Sequence, residues 1–140
     1  MIRAFSNPAA SKFTKAALAV GLATAFVWPA TAQSPDLSIL DRLTAGKWEI
    51  RDRDSRAVKR ICLKNGRDFV QLRHPGQSCK RVAINNSAGQ VTVQYTCRPN
   101  GYGRTSIRRE TATLVQIEGQ GITNKRHYEF TAEARRIGSC

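Results

Sequence analysis

All four cysteines of the chain, Cys62, Cys79, Cys97 and Cys140, lie downstream of a cysteine-free N-terminal segment that carries the three parts of an export signal. Arg3, Lys12 and Lys15 form a cationic leader without an acidic residue. Ala16 to Trp28 is a run of small and apolar side chains, shorter than the ~20 residues a stable membrane anchor needs. Ala30-Thr31-Ala32 then offers small side chains at the two positions a signal peptidase reads. Residues 1–32 are therefore expected to be a signal peptide cleaved near Ala32, and residues 33–140 to be exported, with no membrane span of their own. In an oxidising compartment four cysteines read as two disulfides. No Cys-x-x-Cys pair is present for zinc or thiol redox chemistry, and no Cys-x-x-Cys-His for haem.

The exported part is roughly a hundred residues, the commonest size for one domain. A domain of that size keeps only about 5–15 kcal/mol of net stability, and one disulfide closing a ~15-residue loop contributes about 3, so two bridges decide whether it folds. Residues 33–45 are polar with scattered leucines and read as a linker with a short amphipathic turn around Leu37, Ile39, Leu40 and Leu43. Residues 46–140 carry the disulfide-stapled β domain. Their apolar residues recur with a period of two in short runs broken by Gly, Asn, Pro and Ser, the pattern of antiparallel strands with one buried face.

Trp48 and Ile50 mark the first strand, residues 57–63 the second, Val82 and Ile84 the third, and Val91, Val93, Tyr95 and Cys97 the fourth. Arg104 to Glu118 would span ~50 Å if extended, so it must bend or bulge, near Glu110 to Thr113. Tyr128, Phe130, Ala132 and Ala134 face inward on the last strand. Between strands two and three, Phe69, Val70 and Leu72 suit a short helix that Pro75-Gly76 stops. The expected fold is thus mainly β: an antiparallel meander of about six strands, curved into an open barrel or sandwich, with one short helix between strands two and three.

If consecutive strands alternate in direction, all four cysteines gather at one end of the sheet. Three connectivities are possible. The favoured one joins Cys62 with Cys79, closing the helical insertion, and Cys97 with Cys140, tying down the C-terminus. The competitor joins Cys79 with Cys97 across a hairpin and leaves Cys62 with Cys140.

Several landmarks occur together: Gly46-Lys47-Trp48-Glu49 at the start of the domain, Cys62-Leu63, two middle cysteines, and Arg136-Ile137-Gly138-Ser139-Cys140 at its end. The arrangement resembles a bacterial periplasmic family catalogued as domain of unknown function 3617. That resemblance covers essentially the whole exported chain and implies a periplasmic or secreted bacterial β domain. It brings no catalytic, cofactor or ligand residues with it.

Catalytic chemistry finds no anchor in the residues. His74 and His127 are the only histidines, and neither has a partner at metal-ligand spacing. A secreted ribonuclease can run on two histidines and a lysine, yet nothing in the sequence brings these together; an exposed or capping role is the expectation for each. No nucleophile elbow or phosphate-cradling glycine loop is present. The reading is a non-enzymatic domain with no cofactor and no metal site.

Charge is the remaining signal. Three of the 23 Lys and Arg precede Ala32 and all ten acidic residues follow it, so the +13 of the whole chain becomes +10 for residues 33–140. Such a surplus favours anionic partners. Basic residues crowd the first hairpin at Arg51, Arg53, Arg56, Lys59 and Arg60. Arg81, Arg104, Arg108 and Arg135 fall on the phase opposite the apolar residues, so a paired sheet is expected to present them on one solvent face as a candidate anion site. The expected partner is an anionic envelope polymer or lipid head group. Outward arginines also solvate a face and blunt strand edges without binding anything. Specific nucleic-acid recognition lacks support, because Tyr102 is the one obvious exposed aromatic among the arginines. A protein-binding or inhibitory role at the cysteine-rich end is the alternative; a basic target enzyme would be repelled. Oligomeric state is not encoded in any pattern of the chain.

Overall fold

The computed structural model describes residues 36–140. The signal-peptide assignment to residues 1–32 and the first residues of the 33–45 segment lie outside the described residues. Seven strands form one antiparallel sheet: β1 (Gly46–Asp52), β2 (Val58–Leu63), β3 (Lys80–Asn86), β4 (Gln90–Cys97), β5 (Gly101–Thr111), β6 (Leu114–Thr123) and β7 (Arg126–Gly138). Their order across the sheet is β2-β1-β7-β6-β5-β4-β3, open at both edges. A one-turn helix, α1 (Ser38–Asp41), precedes the sheet, and a 3₁₀ helix (Gly66–Gln71) follows β2.

Period-two alternation separates the faces. On the inner face Trp48, Ile50, Val93, Tyr95, Ile107, Ile117, Phe130 and Ala132 are buried. Burying a side chain of this size stabilises by roughly 1.5–3 kcal/mol. A single sheet needs a second layer to cover such a face, and the two short helices supply it. Leu37, Ile39, Leu40 and Leu43 are buried in the same core, so the packed domain already begins ahead of Gly46. Phe69 lies edge-on to Trp48 with centroids 5.2 Å apart. The Trp48 indole N–H donates to the Thr44 carbonyl at 2.9 Å. The Asn65 side chain caps the 3₁₀ helix, accepting from the Arg67 N–H at 2.9 Å. The Thr105 hydroxyl donates to the Val70 carbonyl at 2.8 Å and pins the helix over β5.

Three expectations change. The mainly-β antiparallel sheet stands, but it has seven strands, because the bend expected near Glu110 to Thr113 is a complete reversal that splits the long segment into β5 and β6. The insertion is a 3₁₀ helix, too short to satisfy many α-type bonds. The meander runs only from β3 to β7, and β7 then pairs with β1, which closes the N- and C-terminal strands together.

That last difference overturns the favoured cysteine pairing. Cys62 is joined to Cys140 and Cys79 to Cys97. Residues 64–79 are not a tight turn between neighbours: they carry the chain across the inner face, from the end of β2 to the far edge and the other end of the sheet. Strands β2 and β3 therefore run in the same direction, and Cys62 and Cys79 sit at opposite ends. Cys79 precedes Lys80, which pairs with Thr96, so it falls opposite Cys97 across the β3–β4 ladder. Cys140 follows Gly138, whose partner Lys47 is also the partner of Cys62. The cysteines form two staples, one at each end, and no single cysteine-rich end exists.

Candidate functional site

Register builds the outer face row by row. Gln94, Arg104, Gln120 and Glu129 form one row across β4 to β7, and Thr92, Ser106, Glu118 and Thr131 the next. Below them come Gln90, Arg108, Gln116, Glu133 and Arg51. In the lowest row Glu49 stands between Arg60 on β2 and Arg135 on β7.

Glu49 organises its neighbourhood. Its side chain is only 9 % exposed, covered by two guanidinium groups. Arg51 donates Nε to Oε1 at 2.8 Å and Nη2 to the same oxygen at 2.6 Å. Arg60 holds the other oxygen with Nε at 3.0 Å and Nη2 at 2.8 Å. The Arg51 guanidinium, then the Arg60 guanidinium, hold the Glu49 carboxyl below the usual carboxylate range. Each arginine uses one edge of its fork on Glu49, and 69 % and 64 % of the two side chains remain exposed. The remaining donors are thus held in place and face solvent, a geometry suited to phosphate or carboxylate oxygens. The exposed Lys47 adds a further cation beside this pair, while Arg53 donates to Gln116 Oε1 and Arg135 lies 3.4 Å from Glu133. A depression of about 460 Å³ lined by Arg51, Arg53, Arg56 and Val58 lies at the upper end of the same hairpin, with Asp52 and Glu133.

The four arginines read from the sequence as one face are divided. Arg104, Arg108 and Arg135 are on the outer face. Arg81 is paired with Tyr95, an inward residue, so it belongs to the other face. There its Nε donates to Gln71 Oε1 at 2.6 Å, and Gln71 is fixed in turn by donating to the carbonyls of His74 and Gln77. Phase counting failed because Val82 and Ile84, taken as inward, are the exposed residues of an edge strand. Arg108 is 2.9 Å from Glu110 and Arg135 is 3.4 Å from Glu133. Arg104 lines a polar trough of about 420 Å³ whose floor is the short Thr92 and Ser106 and whose sides include Glu118, Gln120 and Glu129. The outer face thus has a basic half over β2 and β1, and a mixed polar half over β4 to β7.

Sequence reasoning noticed Arg51 and Arg60 as part of a charged hairpin but not as a site. The signal was present: Glu49 and Arg51 share a phase, and a short hairpin brings an odd-spaced residue of β2 opposite Glu49.

His74 was expected to be exposed or capping, and it is fully buried. The 3₁₀ segment turns it down between the helix and the sheet. The Ile122 carbonyl, 3.1 Å from Nε2, can only accept, so Nε2 carries a hydrogen. Nδ1 is 3.2 Å from the Tyr95 hydroxyl, which is 2.9 Å from that of Tyr128. Burial pushes both tyrosine hydroxyls above the ordinary phenol value. A Cβ at Gly103 would overlap both phenols, so glycine is required there. This chain of polar groups is a strut that ties residues 72–79 to β4, β6 and β7. His127 is exposed at the start of β7. Among the described residues no group of three His, Cys, Asp or Glu side chains converges to hold a metal.

Residues 43–140 match the family described as Protein of unknown function (DUF3617). No curated protein and no solved structure matches the chain.

Proposed function

The chain belongs to that family of unknown function, and from this premise we propose that it is an exported, non-enzymatic bacterial domain that engages an anionic envelope component through its basic outer half. The observation that carries the reading is the Arg51–Glu49–Arg60 clamp, in which two arginines are fixed by a nearly buried carboxylate while most of their surface stays in solvent. Fixing them in advance lowers the ordering cost of binding. The signal-like leader and the two disulfides support an extracytoplasmic setting, in which phosphorylated and carboxylated polymers are the abundant anions.

Retention of the oxidised protein on immobilised heparin and on lipopolysaccharide, across a salt series and against an unrelated protein of equal charge, tests this. The clamp predicts elution well above the control, and loss of the difference when Arg51 and Arg60 are both changed to Gln. Co-elution with the control contradicts it. A second reading, contact with a protein, is favoured by the β3 edge, where Val82 and Ile84 are 60 % and 48 % exposed on a strand that has no further strand beside it among the described residues.

A further inference from the structure

The basic depression does not end on the outer face. Asp52 and Val58, which line it, also line a second cleft of about 200 Å³ on the inner side of the same hairpin. That cleft is apolar: Ile50, Leu72, Phe130 and Ala132 form its walls, and Ala57 and Val58 its lip. Lys59 and Arg73 stand at its rim. The Arg73 guanidinium lies over the Phe130 ring, 4.9 Å from the centroid, and so roofs the cleft. Two acids line the depression, and both are engaged. Glu133 accepts from Gln116 at 3.3 Å and lies 3.4 Å from Arg135. Asp52 also lines the cleft. Its Oδ1 accepts the backbone N–H groups of Asp54 and Ser55 at 3.0 and 2.9 Å, and its Oδ2 is 3.8 Å from Arg73 Nη2.

An apolar slot that opens between two sets of cations is complementary to one kind of molecule. Resting on the anion-binding reading above, we infer that the ligand is a single-chain anionic amphiphile, its tail in the inner cleft and its phosphate head at the lip among Arg51, Arg53 and Arg56. A neutral amphiphile leaves the cations unanswered, and an anion without a tail leaves the slot empty. The slot is smaller than the ~300–1,000 Å³ of drug-sized sites, so it takes a short chain or the end of a longer one. Each methylene buried is worth roughly a fourfold gain in affinity, so affinity should climb with chain length until the slot is full.

The test is calorimetric titration of the oxidised protein with inorganic phosphate, ethyl, butyl, hexyl and octyl phosphate, and octyl glucoside, all as monomers. The inference predicts affinity rising with chain length, with octyl phosphate at least tenfold tighter than both inorganic phosphate and octyl glucoside. Ala57 is exposed, so Ala57→Trp should fold and occlude the lip; it should flatten the chain-length series and leave heparin retention unchanged. Arg53→Gln with Arg56→Gln should weaken octyl phosphate severalfold while the cleft stays intact. A flat series in the unmodified protein, or a series that Ala57→Trp does not alter, overturns the amphiphile. In that case heparin retention still lost with Arg51 and Arg60 leaves the anion reading standing, and retention indifferent to those arginines removes both.

Discussion

Both halves of the outer face carry arginines, yet they use acids in opposite ways. Over β5, Arg108 is paired with Glu110, and Arg104 shares a trough with Glu118 and Glu129, so acid and base are interleaved near the surface. Over β1 and β2 a single, nearly buried carboxylate holds two arginines and leaves them facing outward. An exposed pair neutralises itself and contributes little, about 0–1 kcal/mol. A sunken acid under exposed arginines instead fixes a cationic surface. Counting charges cannot separate these two arrangements; depth does.

The halves also differ in how they are stapled, which gives the largest expected effect. Cys62–Cys140 anchors the β2 edge that carries Arg60 and spans 78 residues, whereas Cys79–Cys97 anchors the β3 edge and spans 18. In the chain-entropy model, removing the first by Cys62→Ser with Cys140→Ser costs about 4.5 kcal/mol, and removing the second by the corresponding serines about 3. Denaturant melts of both variants measure this, and a reversed order would mean that the β2 edge is held mainly by its ladder. Next is the strut beneath the polar half. His74→Leu takes the imidazole N–H from the Ile122 carbonyl and leaves the Tyr95 hydroxyl with Tyr128 alone, at about 1–3 kcal/mol for a buried group left unsatisfied, and heparin retention should not change. Loss of retention would join the two halves functionally and break the comparison.

A direct contrast follows at equal charge. Arg51→Gln with Arg60→Gln should weaken polyanion binding about tenfold, or ~1.4 kcal/mol, and lower the salt dependence by the equivalent of about two phosphate contacts. Arg104→Gln with Arg108→Gln removes the same charge and should change affinity less than twofold. The smallest effect is the acid dependence of stability. Because the Glu49 carboxyl is held below its ordinary value of 4.5 in the folded protein, the clamp's contribution is complete above that pH and is lost as pH falls through the depressed value. Melts between pH 6 and 2 should therefore show a shallower acid limb for Glu49→Gln than for the unmodified protein, and identical limbs would mean that the clamp contributes nothing to folding.

Much of the fold was legible because alternation is a local signal. Trp48, Ile50, Val91, Val93, Tyr95, Phe130, Ala132 and Ala134 all face the core as their spacing indicates. The disulfides were not legible, because their pairing depends on where residues 64–79 deliver the chain, and that is decided by Phe69 and Val70 packing beneath Trp48 and β5 rather than by any turn sequence. The edge strand β3 misled for a related reason: Val82 and Ile84 alternate like core residues but stay largely exposed among the described residues. Of the site, the surplus of charge near the first hairpin was visible, and the phase shared by Glu49 and Arg51 could have been read. What alternation does not convey is that Glu49 sinks beneath Arg60, since this needs the register of β2 against β1.

The most direct test is the salt at which Glu49→Gln elutes from heparin, compared with the unmodified protein. The substitution raises the net charge by one, so a surface that binds by charge alone must be retained longer. The clamp predicts earlier elution, because Arg51 and Arg60 lose the carboxylate that holds them in place. Equal or later elution would contradict the account.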